Sequence, residues 1–206
     1  MKSEKQARKP SYHHGDLRRA LLDAAEAELD EKGVEGFTLR GCAKRAGVSH
    51  AAPTHHFGDV TGLLTALAAE GFQRFLATTT AHQEKINCVD GRARMTALGL
   101  GYVEFARANP ALFRLMFSSD RPDFDDDTLR AAAKSAFQQL ISGVGGVAGG
   151  DPLSSKEGRR RVAAVWATVH GLSHLLLSRQ MKFLGEGDEE ALQEDLTAIL
   201  SSMKAG

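Results

Sequence analysis

Apolar residues recur along most of this chain at the three- and four-residue spacing of an amphipathic helix, and no segment alternates apolar and polar residues as a half-buried strand does. The first helix is predicted over residues 16–32, and Gly33 follows it as a stop signal. The same spacing predicts further helices at 38–46, 49–57, 59–84, 90–108, 128–144 and 155–184, and a last one after residue 187. The fold class predicted from this pattern is all-α.

Local signals mark the ends of the second and third helices. Thr38 is expected to cap the second helix, with Phe37 and Cys42 at the two positions of a hydrophobic staple. Gly47 is expected to end that helix and to permit a sharp turn. Ser49 is expected to cap the third helix. These signals predict two short helices joined by a tight turn.

The second half of the chain carries signals of the same kind. Asn109 is expected at an N-cap and Pro110 at the first position of a short helix. The glycine-rich segment GVGGVAGGDP is expected to be a flexible break. Ser154 and Glu157 have the spacing of a capping box, and the long helix that follows is expected to end near residue 184.

The composition is that of an ordinary globular protein, with 206 residues of which 42% are hydrophobic. The 26 basic and 26 acidic side chains balance, so a surface for nucleic acid would have to be local. The N-terminus is polar and basic without an apolar segment behind it, and no apolar run has the length of a membrane span, which favours a cytoplasmic protein. Cysteine spacing does not resemble a metal site, and Cys42 is expected to be a small buried apolar residue.

The segment 38–57 departs from this balance because it contains basic side chains and histidines but no carboxylate. These residues are Arg40, Lys44, Arg45, His50, His55 and His56. A carboxylate near a phosphate repels it, so a helical pair without acidic residues suits a polyanion. Taken alone, Lys44 and Arg45 are also compatible with a solvated helix face.

The three helices predicted within residues 16–57 have the lengths and the turn of a helix-turn-helix unit, in which the last helix enters the major groove of DNA. The second helix is expected to contact phosphates through Arg40, Lys44 and Arg45. The third helix is expected to face the groove with Ser49, His50, Ala51 and Thr54 and to reach phosphates with His55 and His56.

These residues lead to a known family. The segment TLRGCAKRAGVSHAAPTHHFGDVTGLLTALA resembles the signature of the tetracycline-repressor-like (TetR) regulators, and the preceding SYHHGDLRRALLDAAEAELDEKG is typical of them too. Downstream, NPALFRLMF and the cluster of Trp166, His170 and Gly171 look like the C-terminal domain of one branch of this family. The resemblance implies a homodimer with a DNA-binding head and a body that senses a small molecule, without a cofactor. Such regulators are usually repressors that release a palindromic operator when the effector binds.

Two positions depart from the family pattern. Thr54 stands where the family usually has a tyrosine, and Val60 stands where it often has a lysine. Both family residues usually touch phosphate. Their loss implies either weaker DNA affinity or a shift of the phosphate contacts to Arg45, His55 and His56.

On this resemblance the chain divides into a disordered basic tail (1–15), a helix-turn-helix DNA-binding domain (16–60) and a domain for ligand sensing and dimerisation (61–206). The helix predicted over 155–184 is apolar on two faces and must therefore be covered twice. The core could cover one face and a partner subunit the other. The last two helices of each subunit would then form a four-helix dimer interface.

A pocket in the body requires apolar walls and a few polar groups. The candidate ligand-binding residues are Phe72, Phe75, Tyr102, Phe105, Phe113, Met116, Phe117, Phe137, Trp166, His170 and His174. The sequence does not identify the small molecule.

Two other classes of function remain open at this point. One is a dimeric module that binds a ligand or a protein and has weak or lost DNA binding. The other is a metal-dependent enzyme using His170 and His174, which share a helix face as two metal ligands would. The sequence HGLSH, however, lacks the glutamate of the HExxH motif, and a third ligand is not visible.

Overall fold

The computed structural model describes residues 14–85 and 90–203, with side chains from residue 17 onward. Over these ranges the chain is all-α, which confirms the predicted fold class. The helices are α1 (His14–Gly36), α2 (Leu39–Ala46), α3 (Ala51–Phe57), α4 (Val60–Lys85), α5 (Gly91–Ala108), α6 (Pro110–Ser118), α7 (Asp127–Ala148), α8 (Lys156–Leu177) and α9 (Glu189–Ser201). The predicted tail of residues 1–15 falls outside the described residues except for its last two, which already belong to α1.

The start and the end of α2 follow the predicted signals. The Thr38 hydroxyl accepts a hydrogen bond from the Gly41 amide at 3.0 Å, which satisfies a donor of the first turn. Phe37 and Cys42 are both buried, as a hydrophobic staple requires. Gly47 has a φ of +66° and ends the helix in the left-handed conformation that glycine adopts without strain.

The boundaries of α1 and α3 differ from the prediction by a few residues. Gly33 interrupts the helical geometry with a φ of +68°, but the chain makes one further turn up to Gly36. The prediction that Ser49 caps α3 is wrong, because the turn after α2 runs one residue further. His50 occupies the N-cap position without a side-chain cap, and the Ser49 carbonyl accepts the Ala52 amide at 3.0 Å.

Cys42 is buried between α1 and α2, as expected for a small apolar residue. Its thiol points to the Leu21 carbonyl at 3.3 Å. Burial, with a smaller contribution from the Glu28 carboxylate, raises the pKa of the Cys42 thiol to about 11. The other cysteine, Cys88, lies outside the described residues.

Helix α4 connects the first three helices to the helices that follow it. Its start is capped by the Asp59 carboxylate, which accepts the Gly62 amide at 2.8 Å. It contacts α1 and α3 and packs along α5, α6 and α7. A large apolar core runs from the first three helices into the body, and a smaller cluster formed by Met95, Leu98, Val144, Val162 and Val165 joins α5, α7 and α8.

The glycine-rich segment before residue 150 is helical, so the predicted break there is misplaced. Helix α7 continues to Ala148, and positive φ angles begin only at Gly149 and Gly150. The glycines inside α7 allow other chain segments to approach closely. A Cβ atom at Gly143 would lie 3.0 Å from the Met95 methyl carbon.

The capping box predicted for α8 is wrong, and the helix is shorter than expected. Ser155 rather than Ser154 caps it, accepting the Gly158 amide at 2.9 Å. The helix ends at Leu177 instead of near residue 184, because Arg179 takes a left-handed conformation with a φ of +57°.

The boundary between α5 and α6 lies where the Asn-Pro pair predicts it. Pro110 is the first residue of α6, as expected. Asn109 occupies the N-cap position, but its side-chain amide donates to the Phe105 carbonyl at 3.0 Å instead of capping α6.

Candidate DNA-binding surface and effector cavity

The residues predicted for the DNA groove lie on the outside of the molecule. The exposed side chains on α2, on α3 and on the turn between them are Arg40, Lys44, Arg45, Ser49, His50, Ala51, Thr54 and His55. His56 is half-buried, and its ring lies 6.3 Å from the Phe57 ring. Pro53 is buried and holds α3 against the rest of the head. Eight of the nine side chains predicted to contact DNA are therefore accessible to solvent, and His56 is partly covered.

Arg45 differs from the other cations of this surface because two carboxylates of α1 hold it. Its Nε lies 2.7 Å from a Glu28 carboxylate oxygen, and its terminal nitrogen is bonded to Glu31. The hydrogen bonds to Lys32 and Arg45 lower the pKa of Glu31 to about 2. This pairing corrects the interpretation of Arg45 as a free phosphate ligand, because its charge is largely compensated within the protein.

Arg40 and Lys44 provide the uncompensated positive charge. Both are exposed, and the ion pairs formed by side chains of residues 17–85 and 90–203 do not include either of them. Sequence reasoning missed a third cation, Arg18, which stacks on the Phe57 ring at 5.1 Å from the ring centre. Arg18 lies on α1, outside the acid-free segment 38–57, and folding brings it to the end of α3.

Glu28 also explains why position 41 is a glycine. A Cβ atom at Gly41 would lie 1.9 Å from a Glu28 carboxylate oxygen, so the absence of a side chain makes room for this carboxylate. Glu28 is only 5% exposed and uses that room to reach Arg45. The three residues together lock α2 onto α1.

Gly41→Ala should destabilise the protein by about 1–3 kcal/mol, because the new methyl group displaces the Glu28 carboxylate from Arg45. Thermal and urea unfolding followed by circular dichroism measure this change. Gly146→Ala is the matched control, since a Cβ atom there meets nothing within 4 Å inside α7. It should stabilise the protein by about 0.5–1 kcal/mol through helix propensity. Equal effects of the two substitutions would contradict the role assigned to Glu28.

A cavity of about 570 Å³ lies in the body among α4, α5, α6, α7 and α8. Seven of the eleven predicted ligand residues line it, namely Phe72, Phe75, Tyr102, Met116, Phe117, Phe137 and Trp166. Phe105, Phe113, His170 and His174 do not line it, which corrects the prediction for these four. Phe105 and Phe113 are almost fully buried in the core, and an aromatic residue at a helical core position has the same sequence pattern in either role.

Sequence reasoning missed the remaining walls of the cavity. They are Met95, Leu98, Gly99, Ser119, Phe124, Ala133, Ala136, Gln139, Leu140, Val165, Val169 and Met203. Most are aliphatic residues at the helical spacing of α5, α7 and α8, which by itself indicates only core packing. The spacing of apolar residues does not show which of them border an empty volume.

Tyr102 lines the cavity and pairs with His170, which lies outside the lining. The Tyr102 hydroxyl lies 2.8 Å from His170 Nδ1. Burial raises the pKa of Tyr102 well above its ordinary value, and the neighbouring Trp166 side chain partly opposes this. Burial and then the neighbouring His174 lower the pKa of His170, so both members of the pair are neutral near pH 7.

His174 continues this group on α8, with Nε2 at 3.4 Å from the Ser118 hydroxyl. In the part of the chain that the structure describes, the two histidines do not meet a third histidine, cysteine or carboxylate in a metal-binding arrangement. His170 and His174 instead pack against the Phe113 ring, whose centre lies 5.5 Å from that of His170.

One loop touches both the cavity and the head. Between α6 and α7, Ser119 and Phe124 line the cavity. From the same loop Arg121 donates a hydrogen bond to the Val34 carbonyl near the end of α1. The Asp123 amide donates to the Thr65 hydroxyl on α4 at 2.8 Å.

Comparison with known proteins agrees with this architecture. A family model for bacterial regulatory proteins of the tetR family matches residues 21–67, and a tetracyclin repressor-like C-terminal domain matches residues 95–200. The chain belongs to this family and is a DNA-binding transcriptional regulator.

Two relatives support the assignment, and one solved structure shares the fold. The HTH-type transcriptional regulator BetI of Burkholderia thailandensis is 37% identical over 134 residues, which cover 65% of this chain and 68% of that protein. With the BetI of Burkholderia lata the chain is 38% identical over 90 residues, so the match spans only 43% of this chain and 46% of that protein. A Rhodococcus sp. RHA1 protein of unknown function has a TM-score of 0.72 and 32% identity over 95% of this chain and 99% of that chain.

Among the described helices, none combines the length and the apolar character that are needed to cross a lipid bilayer.

Proposed function

We propose that this regulator is a cytoplasmic repressor that binds a palindromic operator as a homodimer and leaves it when a small molecule fills the body cavity. The observation that carries the proposal is the exposed α2–α3 surface, where His50 and Thr54 stand free at the start and middle of α3 beside Arg40 and Lys44. In helix-turn-helix proteins this part of the last helix reads base edges, while cations around it grip phosphates. The head is proposed to comprise residues 16–60, and the sensing and dimerisation body residues 61–206.

The roles of the surface residues follow from their positions. Arg40, Lys44 and the histidines His55 and His56 contact phosphates, while Arg45 positions α2 against α1. Ser49, His50, Ala51 and Thr54 lie in the major groove. Because Thr54 and Val60 replace residues that usually touch phosphate in this family, the affinity of the head depends strongly on Arg40 and Lys44.

The homodimer is proposed to form through α8 and α9. Away from its buried valines, α8 presents a face of small residues to the outside, formed by Ala164, Ala167, Thr168 and Gly171, with the larger Leu175 at its end. Small side chains permit two helices to approach closely. Helix α9 packs on α5, with Leu196 and Leu200 buried. A twofold arrangement of α8 and α9 would place the two α3 helices on successive major grooves, about 34–36 Å apart.

The loop between α6 and α7 supplies a route from the cavity to the head. An occupant of the cavity that contacts Phe124 bears on the same loop whose Arg121 and Asp123 hold α1 and α4. Since α1 carries α2 through the Glu28–Arg45 pair, a shift of this loop changes the orientation of the head. An effector needs only a coupling free energy of about 1–3 kcal/mol to release the operator measurably.

A gel-shift assay with the DNA upstream of the regulator's own gene tests this function. We expect a discrete complex, and we expect His50→Ala and Thr54→Ala to change the preferred sequence at single base positions, each by about 1–3 kcal/mol. Selection of bound sequences from a randomised operator measures the change. The absence of a complex with any double-stranded DNA, or an unaltered sequence preference in both variants, would contradict the placement of α3 in the groove.

A further inference from the structure

We infer that the body cavity takes an uncharged, mainly apolar small molecule and rejects organic anions and cations of the same shape. The inference rests on the proposed function only in treating this cavity as the effector site. The class of molecule follows from the cavity walls alone.

The walls carry no formal charge within the part of the chain that the structure describes: none of the nineteen lining residues is Asp, Glu, Lys or Arg. Seven are aromatic, namely Phe72, Phe75, Tyr102, Phe117, Phe124, Phe137 and Trp166. The volume of about 570 Å³ lies within the range of sites that bury small organic ligands. A charged group entering this space loses its hydration without meeting a counter-ion.

Most polar groups on the walls are already hydrogen-bonded to the protein. Gln139 accepts from the Thr79 hydroxyl at 2.7 Å and donates to Thr80 at 3.1 Å. The Ser119 hydroxyl accepts the amide of Arg121 at 3.2 Å. Tyr102 is bonded to His170, and its hydroxyl retains capacity for one more partner. The cavity therefore offers hydrogen bonds to a neutral polar group but does not neutralise a charge.

The mouth of the cavity is also apolar. Phe124, Phe137 and Trp166 are 41%, 38% and 40% exposed, although large aromatic residues gain most from burial. The Phe137 and Trp166 rings lie 5.8 Å apart, and a neutral occupant would cover both. Aromatic faces also attract cations, so an organic cation is the strongest rival. Without a carboxylate in the wall, that attraction does not replace the hydration of a primary ammonium group.

Three compounds with the same ten-carbon chain test the inference on the full-length protein: decan-1-ol, decanoate and decylammonium. Calorimetric titration below the micellar concentrations should give a dissociation constant for decan-1-ol at least about tenfold below that of either ion. An ion that binds as tightly as the alcohol overturns the inference. Failure of all three compounds to bind up to the solubility limit of decan-1-ol also overturns it.

A variant with one charged residue in the cavity wall provides the second part of the binding test. Gln139→Glu preserves the acceptor for Thr79 and should shift the preference towards decylammonium over decan-1-ol by at least about tenfold. Gln138→Glu adds the same charge to the exposed side of α7 and should leave the preference unchanged. Equal preferences in the two variants would overturn the argument from wall charge. Thermal unfolding of both variants establishes that they are folded.

Operator release separates this inference from the proposed function. If decan-1-ol binds preferentially but leaves the operator complex intact in a gel shift, the ligand class stands and the effector response fails. If decanoate or decylammonium releases the operator and decan-1-ol does not, the regulator responds to a ligand and the uncharged class is wrong.

Discussion

Reversing two charges, with Arg40→Glu and Lys44→Glu in one protein, should lower operator affinity by at least about 100-fold. Both side chains are exposed cations on α2 without a carboxylate partner in the described ion pairs. In the proposed dimer the two substitutions reverse four charges next to phosphates, so attraction becomes repulsion at four places. Fluorescence anisotropy with labelled operator at constant salt measures the loss.

The control for this experiment carries the same change in net charge away from the head. Lys134→Glu and Lys156→Glu replace exposed lysines in α7 and at the start of α8. This variant should retain operator affinity within about threefold, because screening by salt limits distant charges. Comparable losses in both proteins would mean that overall charge, and not the α2 surface, determines binding.

The corresponding alanine variant tests the nature of the contacts. Each lost phosphate contact reduces the slope of log affinity against log salt by about 0.9. Arg40→Ala and Lys44→Ala together should therefore flatten the slope for the dimer by about 3 to 4 units if all four contacts exist. An unchanged slope would place these side chains away from the phosphates.

Ala167→Arg should break the proposed dimer, raising its dissociation constant at least about 100-fold. Ala167 lies in the middle of the small-residue face of α8, where a partner helix would leave no room for a long charged side chain. Sedimentation equilibrium measures the constant directly. Operator affinity should fall with it, because a monomer reads only half of a palindrome.

Ala77→Arg is the matched control, since Ala77 is exposed on α4 and the substitution is chemically the same. It should leave both the oligomeric state and operator binding intact. Persistence of the dimer in Ala167→Arg would exclude this face of α8 from the interface. Deleting the residues after Leu184 should likewise yield monomers, because it removes α9.

Local interactions made the head predictable. Thr38 and Gly47 act on neighbours within four residues, so their effect on the ends of α2 is visible in the sequence. The pairing of Arg45 is not visible in the sequence, because Glu28 and Glu31 lie on the preceding helix, outside the acid-free segment. Counting the charged residues within one segment omits carboxylates that folding brings next to it from another helix.

The body was predicted less well because its details depend on contacts between distant helices. Glycines in α7 looked like a break, yet Gly143 remains helical where α5 packs tightly against it. Phe113 and Phe117 lie on the same short helix, and only the second lines the cavity. Nothing in the spacing of apolar residues distinguishes a core aromatic from one that borders an empty volume.

The buried cysteine has a practical consequence for the study of the head. With its pKa near 11, the Cys42 thiol is almost entirely protonated at neutral pH, and it lies sealed between α1 and α2. Alkylating reagents will therefore modify it only in molecules whose α1–α2 contact has opened. In a Cys88→Ser variant, Cys42 is the one remaining cysteine. The rate at which its thiol is alkylated then measures how often the contact between α1 and α2 opens, with and without operator DNA.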